Sequence, residues 1–136
     1  LARELDEIAA LVVAIRRAAR ETPDRLRQRV ERQLEDLLAG QAVAPAPDRL
    51  AQEVALLATK ADLTEELERL DAHVAAARAL IAEGTAVGRR LDFLAQEFNR
   101  EANTICSKAA ETEITRAGLA LKAAIERLRE QIQNIE

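Results

Sequence analysis

Residues 88–108 carry the side chains with the clearest capacity for chemistry. At about 100° per residue in a helix, the apolar residues of this run share one face. A second stripe carries amide and carboxylate groups: Asp92, Gln96, Asn99 and Asn103. Because Asn and Asp are poor helix formers, a solvated helix face normally uses Glu, Lys, Arg, Gln or Ala. We therefore interpret Asn99 and Asn103 as residues kept for what they bind.

Two carboxylates and one imidazole outside this stripe are further candidates. Glu97 and Glu101 are four residues apart and share a side of the helix, so they could address one cation. The alternative is that they pair only with Arg100, Lys108 or a neighbouring helix. His73 is the only histidine, and histidine is the side chain that most often serves as a general base, so it is a candidate for that role. The alternative role for His73 is that of a hydrogen-bonded structural residue.

The elements that must position these groups are helical. The chain has 136 residues, of which 49% are hydrophobic, with two Phe, no Trp or Tyr, four Gly and three Pro. This composition predicts an all-α, multi-helix domain. No apolar run is long enough to cross a membrane and no secretory signal is visible, so we expect a soluble, cytoplasmic protein. The single Cys106 excludes an internal disulfide framework and a multi-cysteine zinc site.

Heptad seams near both ends predict long, coiled-coil-like helices that pack within the chain or between subunits. They consist of Leu1, Leu5, Ile8, Val12 and Ile15, and of Ile114, Gly118, Leu121, Ile125, Leu128, Ile132 and Ile135. Gly118 interrupts the second seam and could permit a close helix crossing.

Several residues predict where helices begin and end. Thr22 before Pro23 predicts an N-cap, and Gly40 a C-terminal cap. Asp62 with Glu65 has the spacing of a capping box that opens a helix running to Gly84. We divide the chain into an N-terminal helical arm or hairpin with a linker, residues 1–47, and a helical domain, residues 48–136. The absence of Met predicts a fragment that lacks its N-terminal part.

Residue identities then point to a family. The segments that carry the resemblance are EVALLATKADLTEELERLDAHV at 53–74, VGRRLDFLAQEFNREANTICSK at 87–108 and IERLREQIQNIE at 125–136. They resemble the C-terminal region of the YicC family of bacterial endoribonucleases, over roughly residues 48–136. The resemblance implies a bacterial cytoplasmic enzyme that cuts single-stranded RNA, assembles as a hexamer and carries an N-terminal β-rich domain.

Cleavage of RNA gives the candidate residues two possible uses. In the first, carboxylates hold a divalent cation, Mg²⁺ or Mn²⁺, while Asn99 and Asn103 supply neutral oxygens or hold the ribose. The candidate metal ligands are Asp92, Glu97, Glu101 and Glu113. In the second, His73 deprotonates the ribose 2′-hydroxyl and no metal is needed.

The RNA must also be held. The net charge of −4 excludes general phosphate binding, so we expect local contacts through Arg89, Arg90, Arg100, Arg69 and Lys108. With almost no aromatic residues for stacking, recognition should be weakly sequence-specific. Phe93 points away from the apolar face, and we expect it to pack on a partner subunit, with a base as the alternative.

A second functional class competes with the nuclease. The heptads could assemble oligomers while the polar strip docks an RNA-decay protein, which would make the chain a non-catalytic adaptor. Asn99→Lys or Asn103→Glu should be tolerated by an adaptor and not by a catalytic strip.

Overall fold

The computed structural model describes residues 1–39 and 46–135, and these residues form six α-helices and no strand. The helices are α1 (Ala2–Arg20), α2 (Thr22–Leu37), α3 (Pro47–Lys60), α4 (Thr64–Glu83), α5 (Gly88–Lys108) and α6 (Thr112–Asn134). The predicted all-α fold class is confirmed. Among the described helices, none combines the length and apolar character needed to cross a membrane.

Four of the helices enclose the core. Helix α5 packs against α4 and α6, and α1 packs against the same two helices, so the contacts close a ring. The predicted seams of α1 and α6 point into this ring, except that Ile135, just beyond the end of α6, is exposed. Its most deeply buried side chains include Leu5, Ile8, Ile15, Leu70, Phe98, Ile105, Leu121, Ile125 and Leu128. Each such side chain stabilises the fold by about 1.5–3 kcal/mol, so these contacts hold the four helices together.

Helices α2 and α3 pack against each other beside the ring. They bury little, since only Thr22, Leu26 and Val54 are inaccessible. Because α1 lies in the ring with α4 and α6, helices from both sides of residue 47 share one core. The division into residues 1–47 and 48–136 stays a prediction.

The residues that predict helix ends give a mixed result. Gly84 ends α4 in the left-handed conformation at φ 77°, as predicted. The prediction that Thr22 is an N-cap is wrong, because α2 begins at Thr22 and its hydroxyl is buried without a hydrogen-bond partner among the described residues. The preceding Glu21 is in a helical conformation, which leaves no extended capping position. Gly40 and linker residues 40–45 lie outside the described residues.

Asp62 caps α4 in a different way from the predicted capping box. The helix begins at Thr64, whose backbone N–H and hydroxyl both donate to Asp62 Oδ1, at 2.9 and 2.6 Å. Glu65 does not reach back to Asp62 and instead lies 3.5 Å from Arg69 Nη1. The two bonds from Thr64, the hydroxyl bond first, lower the pKa of Asp62 below its ordinary value of 3.8, and the nearby charge of Lys108 adds to the effect.

Gly118 allows the close crossing of α5 and α6 that the sequence predicts. A Cβ atom at this position would lie 2.8 Å from Cys106 Sγ, which is closer than real contacts allow. The next nearest atom, Ile105 Cγ2, would be 3.8 Å away, at ordinary van der Waals distance. The sulfur of Cys106 therefore sets the limit on residue size at position 118.

We predict that Gly118→Ala does not deliver the gain of about 1 kcal/mol that Ala normally has over Gly inside a helix, because the new methyl group must displace Cys106 Sγ. In the Cys106→Ala background the clash is absent, and the same substitution should stabilise the fold by about 1 kcal/mol. Urea unfolding of both single variants and the double variant measures this coupling. Additive effects would contradict it.

A second prediction concerns pH. Because the folded-state pKa of Asp62 lies below its unfolded value, its capping contribution is fully present above that unfolded value, near 3.8, and is lost as the pH falls through the folded pKa. The stability difference between the native protein and Asp62→Asn should therefore shrink on acidification. Thr64→Val removes the largest cause and should raise the pKa of Asp62, as followed by carboxyl NMR. An unchanged Asp62 titration in Thr64→Val would be the contrary result.

Candidate functional site

The candidate site lies in the groove between α4 and α5, which run antiparallel. Three contacts show the direction, since Lys108 meets Glu66, Arg69 meets Glu101, and Arg90 meets Glu83. On each helix, neighbouring site residues are three, four or seven positions apart, so they share one side of that helix. Two rows of polar side chains therefore face each other along the groove: Glu66, Arg69 and His73 from α4, and Glu97, Glu101 and Lys108 from α5.

His73, Glu97 and Glu101 form the centre of the site. One ligand atom from each residue lies within 4.8 Å of the other two. Glu101 is buried, whereas His73 and Glu97 are half-buried and open to the groove. The predicted metal ligands Glu97 and Glu101 and the predicted general base His73 thus belong to one cluster, although the sequence assigned them to alternative mechanisms.

The imidazole of His73 is held by packing and has a free nitrogen. Its ring meets Phe98 edge to face, with the ring centroids 5.9 Å apart and an angle of 84° between the planes. Its Nε2 atom is buried and has no hydrogen-bond partner among the described residues. An unpaired buried nitrogen is costly in a folded protein, so the Nε2 atom is available to a water molecule or another ligand.

Arg69 holds the carboxylate of Glu101. Its Nε donates to Glu101 Oε1 at 2.9 Å, and its Nη2 lies 3.7 Å from Glu66 Oε1. The hydrogen bond to Glu101 is the main cause that raises the pKa of the Arg69 guanidinium above its ordinary value. Since only Oε1 of Glu101 accepts this bond, the carboxylate keeps its second oxygen for another partner.

Lys108 holds the other buried carboxylate. Its Nζ lies 2.7 Å from Glu66 Oε1 and also donates to the Asp62 carbonyl at 3.4 Å. Glu66 and Glu101 are only 3% and 4% exposed, whereas Arg69 and Lys108 reach in from the rim. Glu66 was not among the predicted site residues. Its spacing of three and seven residues from Arg69 and His73 was the available signal, but burial of a Glu cannot be inferred from spacing.

The remaining predicted residues lie outside the cluster. Asn99 and Asn103 are exposed, and helical geometry places them about 160° around α5 from Glu97 and Glu101 respectively. Asp92 accepts a hydrogen bond from Gln96 at 3.1 Å. Glu113 lies 3.5 Å from Arg25 Nη1. The structure therefore does not bring Asp92, Asn99, Asn103 or Glu113 to the carboxylates they were predicted to assist.

The predicted phosphate-binding arginines divide in the same way. Arg90 is exposed and pairs with Glu83 at 3.0 Å, and Arg89 beside it has no ion pair within the described part of the chain. Arg100 is also exposed and lies outside the cluster. Arg69 contacts Glu101 of the cluster and Lys108 contacts the nearby Glu66, so both are already engaged by carboxylates.

Comparison with known proteins shows which proteins this chain resembles. Residues 15–136 match the family described as "Endoribonuclease YicC-like, C-terminal". The protein named "Probable endoribonuclease YicC" from Haemophilus influenzae is 50% identical over 90 residues, which cover 66% of this chain and 31% of that protein. The protein of the same name from Clostridioides difficile is 47% identical over 89 residues, covering 65% and 30%. The matched segment thus covers about a third of the length of these relatives.

We predict that Arg69→Met destabilises the fold by about 1–3 kcal/mol, because Glu101 and Glu66 would keep their burial and lose a cation. Arg78→Met is the matched control, since Arg78 on α4 pairs with Asp6 at 3.0 Å and both side chains are exposed. An exposed pair contributes about 0–1 kcal/mol. Chemical denaturation of both variants measures the difference, and equal losses would show that burial of the carboxylates has no energetic consequence.

Proposed function

Because the chain belongs to the YicC-like endoribonuclease family, we propose that its α4/α5 groove cleaves the phosphodiester backbone of single-stranded RNA with a divalent cation. The observation that carries the proposal is the convergence of His73, Glu97 and Glu101 within 4.8 Å. The chain would be the helical part of a longer enzyme, since the segments that match it cover only about a third of each relative.

The residues present fit a divalent cation. The cluster offers one imidazole nitrogen and two carboxylates, and the buried Nε2 of His73 lacks a hydrogen-bond partner among the described residues. Oxygen-only sites suit Mg²⁺, whereas an imidazole beside carboxylates is better matched to Mn²⁺. Of the two predicted cations, the donor set therefore favours Mn²⁺. When bound, such a cation polarises a phosphate oxygen and makes its bound water more acidic.

Two neighbouring side chains hold the residues of the cluster in position. Arg69 donates to one oxygen of Glu101, which fixes the carboxylate and leaves its other oxygen free. Phe98 restricts the ring of His73 from the core side. Both supports belong to rigid helices, so the donor atoms are held in place before a ligand arrives.

RNA binding would use the cations along the groove. Arg89 and Arg90 are exposed in the first turn of α5, where acidic residues are absent. Positive side chains are mildly unfavourable at a helix N-terminus, so a ligand is a reason to keep them there. From the family resemblance we extend the proposal to a homo-hexamer in the bacterial cytoplasm that acts in RNA turnover.

The test is cleavage of a labelled single-stranded RNA by the full-length protein that carries this chain, in Mn²⁺, Mg²⁺ or EDTA. We predict that cutting requires the cation and that Glu97→Gln and His73→Ala each lower it by at least about 100-fold, through loss of a ligand. Mn²⁺ binding, followed by electron paramagnetic resonance, should weaken in the same variants. Asp92→Asn and Glu113→Gln are matched controls outside the cluster, and both should behave like the native protein.

Two other outcomes have definite meanings. Cutting that survives EDTA and is lost in His73→Ala would replace the cation with His73 acting as general base on the 2′-hydroxyl. RNA binding without cutting under every condition would favour the adaptor function, in which the groove docks RNA or an RNA-decay protein.

A further inference from the structure

The α4/α5 groove continues beyond His73 into an open apolar hollow of about 520 Å³. Its walls come from the helix turns that follow His73 on α4 and precede Glu97 on α5. The lining residues are Ala76, Ala79, Leu80, Phe93 and Leu94, with Glu83, Arg89 and Arg90 at the far end. The volume is in the usual range for small-molecule sites, and the lining is mainly apolar.

Phe93 is the most unusual residue in this hollow. It is one of two Phe in a chain without Trp or Tyr, and 62% of it is exposed. Phe93 and Glu97 are four residues apart on α5, so about 6 Å of helix axis and a small rotation separate them. An exposed aromatic ring therefore lies one helical turn from the His73, Glu97 and Glu101 cluster, on the same groove.

Charge is arranged on both sides of the hollow. One end adjoins the cluster that is proposed to hold a cation, and the other end carries Arg89 and Arg90. Arg90 is paired with Glu83, whereas Arg89 has no ion pair among residues 1–39 and 46–135. If the cluster holds its proposed cation, the groove has an anion-binding position at each end and an apolar stretch between them. This is the order of groups in a nucleotide with its two flanking phosphates.

A subunit contact explains the hollow less well. Stable interfaces bury about 800 Å² on each partner, around a core of large apolar side chains. Among the described residues, Phe93 is the one large apolar side chain of α4 or α5 that is exposed. The other exposed large apolar residues of the described chain lie on different helices or near the chain end: Val13, Leu37, Leu56, Leu57, Leu119 and Ile135.

We propose that this hollow is a base-binding subsite of the nuclease. The base next to the cleaved phosphodiester stacks on Phe93, and Arg89 neutralises the phosphate beyond it. The inference rests on the proposed function, because it takes the ligand to be single-stranded RNA. Since Ala and Leu side chains offer no hydrogen bonds to base edges, the subsite accepts any base and favours those that stack strongly.

The test measures RNA affinity in the full-length protein in the Glu97→Gln background, which is expected not to cut. Phe93→Leu should weaken binding of a short single-stranded RNA by about 5- to 100-fold, the range for loss of one base–aromatic stack. Inorganic polyphosphate, which has no bases, should bind equally well with and without the ring. Phe93→Tyr should retain RNA affinity, and Leu119→Ala, an equally exposed apolar position on α6, is the control that should change nothing.

Arg89→Gln should weaken RNA and polyphosphate alike and reduce the salt dependence of binding by about one charge. Equal loss of RNA and polyphosphate affinity in Phe93→Leu, or no loss at all, would overturn the base subsite. A smaller assembly in Phe93→Leu by light scattering, with unchanged RNA affinity, would make the hollow a subunit contact. If Glu97→Gln still cuts, the cation site is wrong. The base subsite is then tested by the RNA and polyphosphate affinities of Phe93→Leu alone.

Discussion

The burial of Glu66 and Glu101 between α4 and α5 is the constraint on which the groove depends. A buried carboxylate costs several kcal/mol unless a cation and hydrogen bonds compensate it. Here each carboxylate is paired with a cation from the opposite helix: Arg69 of α4 binds Glu101 of α5, and Lys108 of α5 binds Glu66 of α4. Sliding one helix by a turn, about 5.4 Å, would separate Glu101 from Arg69 and Glu66 from Lys108. The pairs therefore fix the register that places His73 opposite Glu97.

Much of the scaffold was predictable, because helices have a local period. The heptad seams, the turn at Gly84 and the close crossing at Gly118 all follow from residue types and spacing, and each agrees with the structure. The cap at Thr22 was not predictable in this way. A Thr before a Pro signals an N-cap only if the backbone before it is extended, and α1 runs almost directly into α2.

The candidate site was predictable only in part, for a geometric reason. A projection of α5 shows two polar strips on either side of its apolar face, one with Glu97 and Glu101 and one with Asn99 and Asn103. Periodicity gives the angle between these strips but not the strip that a neighbouring helix covers. The structure places α4 against the carboxylate strip, which leaves both Asn side chains exposed. Long-range packing, unlike helix period, is not encoded in any local pattern.

Electrostatics connects the cation to the RNA. Glu97 and Glu101 lie in the path that a phosphate backbone would take along the groove, and Arg69 bonds to Glu101 alone of these two. The remaining negative charge repels a polyanion at short range, where little solvent screens it. In the proposed function, a cation between the cluster and the RNA removes this repulsion. Within that proposal, Glu97 beside the Nε2 atom of His73, which has no hydrogen-bond partner among the described residues, supports a cation as part of the RNA-bound state.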